Sequence, residues 1–272
     1  MPDDAAAAAG GTRLSAISFD FGNTLVPVRH ESLRAVVVET ARQVCERCGP
    51  FSQETFLSIW AEERDRQFAE EVPAFREVDL DQRLIRVLAR LRGYVAPPRD
   101  RRWDDADAAP LSDPDEIAWA VDVYSRAFVE LIAAPAAVGP LLQRLAGRYR
   151  LAVLSNWPLA ATIDRFVEAA GWNQWLAGVV VSQRVGTIKP HPEIFRVTAA
   201  VLAVAPSGIL HVGDDWAADV VGAKESGWRA AYLHTPDGAS PLPSSSRDER
   251  VRADLELDAL ADLEPALARL GW

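Results

Sequence analysis

The chain has 272 residues, 49% of them hydrophobic and 25% charged, and a formal net charge of −10. A chain of this length and balance buries a full core, which excludes disorder as its default state, and its two cysteines exclude a disulfide scaffold. The acidic balance argues against nucleic-acid partners, which call for a basic footprint, and no apolar run approaches the roughly 20 residues of a membrane helix.

Residues 1–13 lack the basic and apolar regions of a secretory leader and are expected to form a flexible tail. Residues 14–20 (LSAISFD) read as a buried strand ending in Asp20. About 130 residues separate it from the next strand, far more than the dozen that a parallel crossover needs. Helical spacing over 31–48, 53–70, 77–93 and 114–133 predicts an inserted helical layer. Asp113 is placed to cap the last of these helices, and Pro114 to open it. Residues 95–112 and 236–250 are rich in Pro, Asp, Ser and Arg and read as exposed loops. Short apolar runs at 150–155, 178–181, 208–213 and 229–233 alternate with helical patterns at 159–171, 192–204 and 216–227. A last amphipathic helix is expected over 256–270. This alternation predicts a doubly wound, mostly parallel α/β sheet. The expected organisation is a core of 14–29 and 135–272 and a helical cap of 30–134.

In open α/β sheets, ligands sit beyond the carboxyl ends of the strands. Those ends carry Asp20 in FDFGNTL, Ser155-Asn156, and Gly213-Asp214-Asp215 followed by Asp219. Lys189 sits in GTIKPHPEIF, ahead of a helix. A carboxylate on a sharp strand-to-loop turn is placed to attack an electrophile. Asp214, with Asp215 or Asp219, adds the hard oxygen ligands that suit magnesium. Ser155 and Lys189 can hold anionic oxygens, and Lys189 offsets the crowding of carboxylates. Only two lysines, Lys189 and Lys224, stand against 27 arginines, so a lysine here points to a site that needs a compact ammonium.

The set FDxxxTL, LSN, IKPxPEIF and HVGDDxxxD resembles the haloacid dehalogenase superfamily, most of whose members are phosphatases, over residues 14–233 apart from the insertion. The place of the insertion is similar to the subclass whose cap follows the first motif. The resemblance implies that Asp20 forms an aspartyl-phosphate. It also implies that Thr24, Ser155, Asn156 and Lys189 bind the substrate phosphate, and that Mg2+ lies between Asp20, the Gly22 carbonyl and Asp214, supported by Asp215 or Asp219. The partner implied is a small phosphorylated molecule in a cytoplasmic setting. The sequence carries no signature of oligomeric state.

One departure matters. Family phosphatases carry a second aspartate two residues after the nucleophile, which protonates the leaving alcohol, and here Gly22 stands in its place. Asn23 follows where glycine is usual, and asparagine tolerates the left-handed conformation. Three explanations compete. The leaving group needs no proton; or the cap or the first loop supplies an acid, with His30 and Glu31 the nearest candidates; or the reaction is not ester hydrolysis. Haloacid dehalogenases lack that aspartate and use a Ser-Asn second motif, but they also lack the paired aspartates of the fourth. Phosphonoacetaldehyde hydrolases need a cap lysine, and residues 30–134 contain none. A silent binding protein is the non-enzymatic alternative. Cys45 and Cys48 read as core or half-buried thiols, since zinc requires about four ligands. Trp157 and Trp216 follow the second and fourth motifs and are placed either to wall the crevice or to pack at the boundary between core and cap.

Overall fold

The computed structural model describes residues 13–103, 105–235 and 240–272; nearly all of the expected N-terminal tail, and residues 236–239 of the second loop, lie outside it. Six strands form one parallel sheet in the order β3-β2-β1-β4-β5-β6. They are β1 (Ala16–Phe19), β2 (Arg150–Ser155), β3 (Leu176–Val181), β4 (Ile209–Gly213), β5 (Arg229–Leu233) and β6 (Leu255–Leu257). Every residue of β1 and β4 is buried, as continuous apolar strands covered on both faces should be.

Strand side chains alternate between faces. Ile17, Phe19, Leu151, Val153, Leu210 and Val212 therefore enter one apolar cluster, and Ala16, Ala152, Leu154 and Ile209 enter another.

Among the described residues, six α-helices lie between β1 and β2; the first five are α1 (His30–Cys48), α2 (Gln53–Glu71), α3 (Leu80–Leu91), the single turn α4 (Asp105–Ala108) and α5 (Pro114–Leu131). Ser52, Asp79 and Asp113 cap α2, α3 and α5 through their side-chain oxygens, so the cap expected at Asp113 is present. The apolar faces of these helices, through Val36, Phe56, Leu84 and Phe128, continue the first cluster. Then follow α6 (Val138–Ala146), an addition to the predicted elements, α7 (Ala160–Ala169), α8 (Ser182–Val185), α9 (Pro192–Leu202), α10 (Gly222–Glu225) and α11 (Leu263–Arg269). Leu141, Phe166 and Leu267 join the first cluster, while Ile194 and Phe195 of α9 join the second.

Three predicted elements differ. The helix expected over 256–270 begins only at Leu263, because Leu255 and Leu257 pair with Ala231 and Leu233 at the sheet edge. The helix expected over 216–227 opens as a π-helical turn, Trp216–Val221. The 95–112 segment is not simply an exposed loop. Trp103 is fully buried, and Arg66 donates to the carbonyls of Pro97, Pro98 and Arg101. Arg66 and Arg86 share Glu70, so buried arginines fasten a segment whose composition reads as solvent-facing.

The helical insertion grips the core beside the strand ends. Ile188 N donates to Phe75 O at 3.0 Å, and Leu80 N donates to Pro158 O at 3.0 Å. Gln183 Nε2 donates to Asp79 Oδ2 at 3.2 Å. Ser182 Oγ donates to Glu77 and accepts from Trp157 N. Burial pushes the Glu77 carboxyl up to about 7, against the hydrogen bonds from Ser182 and Val78 N. The unfolded carboxyl titrates near 4.5, so the folded state holds a proton that the unfolded state releases. The stability from this group is full below the unfolded value and is lost as pH rises through about 7. Glu77→Gln keeps an acceptor for both donors and removes the titration. Denaturant melts should show it roughly 1–3 kcal/mol more stable than wild type at pH 8.5, with no such advantage at pH 4.5. A constant difference across that range would refute the assignment.

Candidate active site

β1 is the pivot of the sheet. The chain first adds β2 and β3 on one side of it and later β4 on the other, which makes a topological switch point. Phe19 is in register with Val153 and Val212, and Asp20 N donates to Val212 O at 2.8 Å, so Asp20 leaves the sheet beside the end of β4.

Lys189 lies at the centre. Its ammonium donates to Asp20 Oδ1 at 2.6 Å, to Asp219 Oδ1 at 2.6 Å and to Leu154 O at 3.1 Å. An ammonium has three protons, and all three have acceptors here. Asn156 clamps the Lys189 backbone from both sides: its Oδ1 accepts from Lys189 N at 2.7 Å and its Nδ2 donates to Lys189 O at 3.1 Å. Its amide therefore positions the lysine. Ser155 is buried at the end of β2, in register with Val181.

Asp20, Asp214 and Asp219 offer carboxylate oxygens that all lie within 4.8 Å of one another. Burial is the largest influence on each. It pushes Asp20 up to about 7, with Asp219 adding to the rise and Lys189 opposing it. It pushes Asp214 up to about 8, helped by the charges of Asp20 and Asp219. Burial also opposes the charge of Asp219, but Lys189 and His211 outweigh it and hold that carboxyl well below the usual range. The same two carboxylates raise Lys189 against its own burial.

Asp219 is fully engaged. Its Oδ1 also meets His211 Nε2 at 3.1 Å, and its Oδ2 accepts from Asp215 N at 2.9 Å. His211 lies in β4 with Nδ1 3.1 Å from Ser18 Oγ, and burial lowers its pKa. The neutral ring then donates from Nε2 to the carboxylate and accepts from Ser18. Gly213 makes room for this arrangement: a Cβ there would lie 2.2 Å from the Asp219 carboxyl carbon.

The first loop folds back on Asp214. Asn23 takes φ 59°, the left-handed conformation expected of it, and donates to Asp214 Oδ2 at 3.2 Å. Thr24 Oγ1 donates to Asp214 Oδ1 at 3.4 Å.

Asp215 stands apart from the cluster. Its Oδ1 accepts from Ala218 N and Ser245 Oγ, and its Oδ2 from Ser245 N. It caps the turn after β4 and holds residues 240–250 against the core, so that part of the second loop is fastened rather than free. Arg247 stacks over the Trp216 ring at 4.4 Å, and Trp216 packs on Tyr232. Trp157 packs against Phe21 of the core and Phe128 of the insertion, at the boundary between them. His30 and Glu31 are exposed on the first turn of α1, without a hydrogen bond to any site residue among the described residues. Cys45 and Cys48 are free thiols on α1, and burial, aided by Glu116, pushes Cys48 up to about 12.

Sequence reasoning does not single out His211. The available signal was its place in a buried strand, three residues before Asp214. Glu77, which carries no motif, is missed as well.

A doubly wound sheet with carboxylates and one buried ammonium gathered at its switch point defines an α/β hydrolytic enzyme. The chain belongs to the haloacid dehalogenase-like hydrolase family, whose sequence model matches residues 14–227. Curated relatives include haloacid dehalogenase-like hydrolase domain-containing protein 3 of Mus musculus, 31% identical over 118 residues, 43% of this chain and 45% of that one. Phosphoserine phosphatase of Thermus thermophilus is 28% identical over 165 residues, 60% and 65% of the two chains. The chain spans about half the length of the curated relatives it matches. Among solved structures, 2-haloacid dehalogenase from Pseudomonas syringae pv. Tomato DC3000 aligns with a TM-score of 0.65 over 94% of this chain and 99% of that one. Their identity is 22%, so this likeness is one of fold. Among the described residues, no helix is long and apolar enough to cross a membrane.

Proposed function

We propose that the protein is a magnesium-dependent phosphatase of a small phosphorylated metabolite, with Asp20 as nucleophile. The observation that carries this reading is the gathering of Asp20, Asp214 and Asp219 around the Lys189 ammonium at the ends of β1 and β4. Phosphatases among the relatives support it.

The donor set fits magnesium. Three carboxylates crowd together with only two of them bonded to the ammonium, and two are pushed far above the usual range, which is the crowding that a divalent cation relieves. Asp20 and Asp214 would hold the ion together with the Gly22 carbonyl, with Asp219 behind them; Asp215 is engaged elsewhere. When bound, magnesium supplies Lewis-acid polarisation of phosphoryl oxygens.

The remaining work falls to the chain itself. Asp20 forms the bond to phosphorus as the bond to the leaving oxygen breaks. Lys189, Ser155 and Thr24 balance charge on the transferring group. Asn156 and Asp219 hold Lys189 in place. Water then releases phosphate from the aspartyl-phosphate. The 30–134 helices act as a cap on the 14–29 and 135–272 core, exclude bulk water and select the substrate. The unjoined thiols Cys45 and Cys48 support a cytoplasmic setting.

Chelation should lower phosphate release by about 10³-fold, corresponding to the several kcal/mol a bound cation contributes, and added magnesium should restore it. Magnesium should also raise the thermal midpoint. Activity indifferent to chelator would refute the metal assignment. Gly22, which removes the usual acid, favours a second reading as a 2-haloacid dehalogenase. Halide release from a 2-haloacid without metal, with no phosphate release from any ester, would select it.

A further inference from the structure

The vector along which any side chain at position 22 would project is already occupied. A Cβ on Gly22 would lie 2.5 Å from Leu242 Cδ1, 3.6 Å from Trp157 Cζ3 and 3.8 Å from Val28 Cγ2. The missing carboxylate has therefore been replaced in space by a leucine methyl from the far end of the sequence. Leu242 also packs against the main apolar cluster. The segment that bears it is fastened beside the site. Ser245 N and Oγ donate to Asp215 at 2.7 and 2.8 Å, Ser245 Oγ accepts from Ala217 N at 2.7 Å, and Arg247 lies over Trp216.

Resting on the phosphatase reading above, we propose that Leu242 is a specificity-determining residue. With Trp157 and Val28 it forms an apolar wall where the leaving group departs. The enzyme therefore acts on phosphoryl donors whose leaving group departs as a stable anion, namely acyl or aryl phosphates. The chemistry follows from acidity. An alkoxide, whose conjugate acid has a pKa of about 16, needs a proton as it leaves; a carboxylate, at about 4, and a phenolate, at about 10, do not. Asp20 forms its bond to phosphorus while the phosphorus–leaving-group bond breaks, and the electron pair leaves on the carboxylate or phenolate. Water then forms the new phosphorus–oxygen bond, the bond to Asp20 breaks back to a carboxylate, and the protons of water stay on the released phosphate.

The test compares wild type, Leu242→Ala, Gly22→Asp and the double variant on acetyl, phenyl and ethyl phosphate with magnesium. Wild type should favour acetyl and phenyl phosphate over ethyl phosphate by about 10²-fold in kcat/KM, the low end of what general acid catalysis contributes. Leu242→Ala should raise KM for phenyl phosphate about 5-fold or more, the loss of a methyl-scale apolar contact, and should move acetyl phosphate less. Gly22→Asp alone should gain less on ethyl phosphate than the double variant, because its Cβ and the Leu242 methyl compete for one space. The double variant, with space for the acid, should gain about 10-fold or more on ethyl phosphate over wild type. Equal wild-type rates on ethyl and phenyl phosphate overturn the inference. So does a folded double variant with no gain. If the double variant fails to fold, an unchanged KM for phenyl phosphate in Leu242→Ala overturns it alone. Wild type that releases phosphate from none of the three overturns the phosphatase reading itself.

Discussion

Asp20→Asn should lower phosphate release by about 10⁴-fold or more while leaving the protein folded, the scale at which loss of a nucleophile is felt when the rest of a site remains. The amide cannot form the aspartyl-phosphate, yet its oxygen still accepts from the Lys189 ammonium, which now sits 2.6 Å from Asp20 Oδ1. One carboxylate also leaves a crowded cluster in which burial and like charge disfavour ionisation. The thermal midpoint at neutral pH should therefore match or exceed that of wild type, since sites strained for function often gain stability when disarmed. Steady-state phosphate release and a thermal melt on the same preparation check both halves. An Asp20→Asn protein with full turnover would sink the mechanism.

Lys189→Met should fail in both respects. It removes the ammonium that Asp20 and Asp219 share and leaves their carboxylates buried without it, a change that typically costs about 3–5 kcal/mol. Activity should fall about 10²–10³-fold, as when one fixed electrostatic partner of a transition state is lost. Lys189→Arg should not rescue it. The three acceptors of the ammonium are a carboxylate oxygen just past β1, another on the π-helical turn after β4, and the carbonyl of Leu154. They surround a point, and a planar guanidinium fork would not match them. Denaturant melts and phosphate release read the two effects separately. Near-wild-type stability of Lys189→Met would show that this cluster is not balanced by the ammonium.

The strand ends were legible because chemistry and position coincided in short segments. Asp20, Ser155-Asn156, Lys189 and Asp214 each follow an apolar run or precede a helix, and the lysine stood out against 27 arginines. The division of labour among the aspartates was not legible. Asp215 and Asp219 are equally plausible metal carboxylates in GDDWAAD. Folding separates them: Asp219 turns under Gly213 towards Lys189, and Asp215 turns outward to Ser245. The role of Asn156 was equally hidden, because an amide that clamps a backbone has the same letter as one that binds substrate. Composition misled at both polar loops. Trp103 is buried beneath Arg66 and Arg86, and Leu242 reaches Gly22 from 220 residues away, contacts that no local pattern encodes.

The strand order has a consequence for how the chain acquires its fold. Ala16 pairs with Arg150 on one side and with Ile209 on the other, so the first strand made is the middle of the finished sheet. At about 5–20 residues per second during synthesis, β1 waits roughly ten seconds or more before its second neighbour exists. Sheet assembly is correspondingly non-local and slow in character. The helices between β1 and β2, whose contacts with one another are closer in sequence, can organise during that interval. Those helices thereby become the first part of the molecule able to collapse, and the strand ends that lead into Asp20 and Asp214 are among the last to meet.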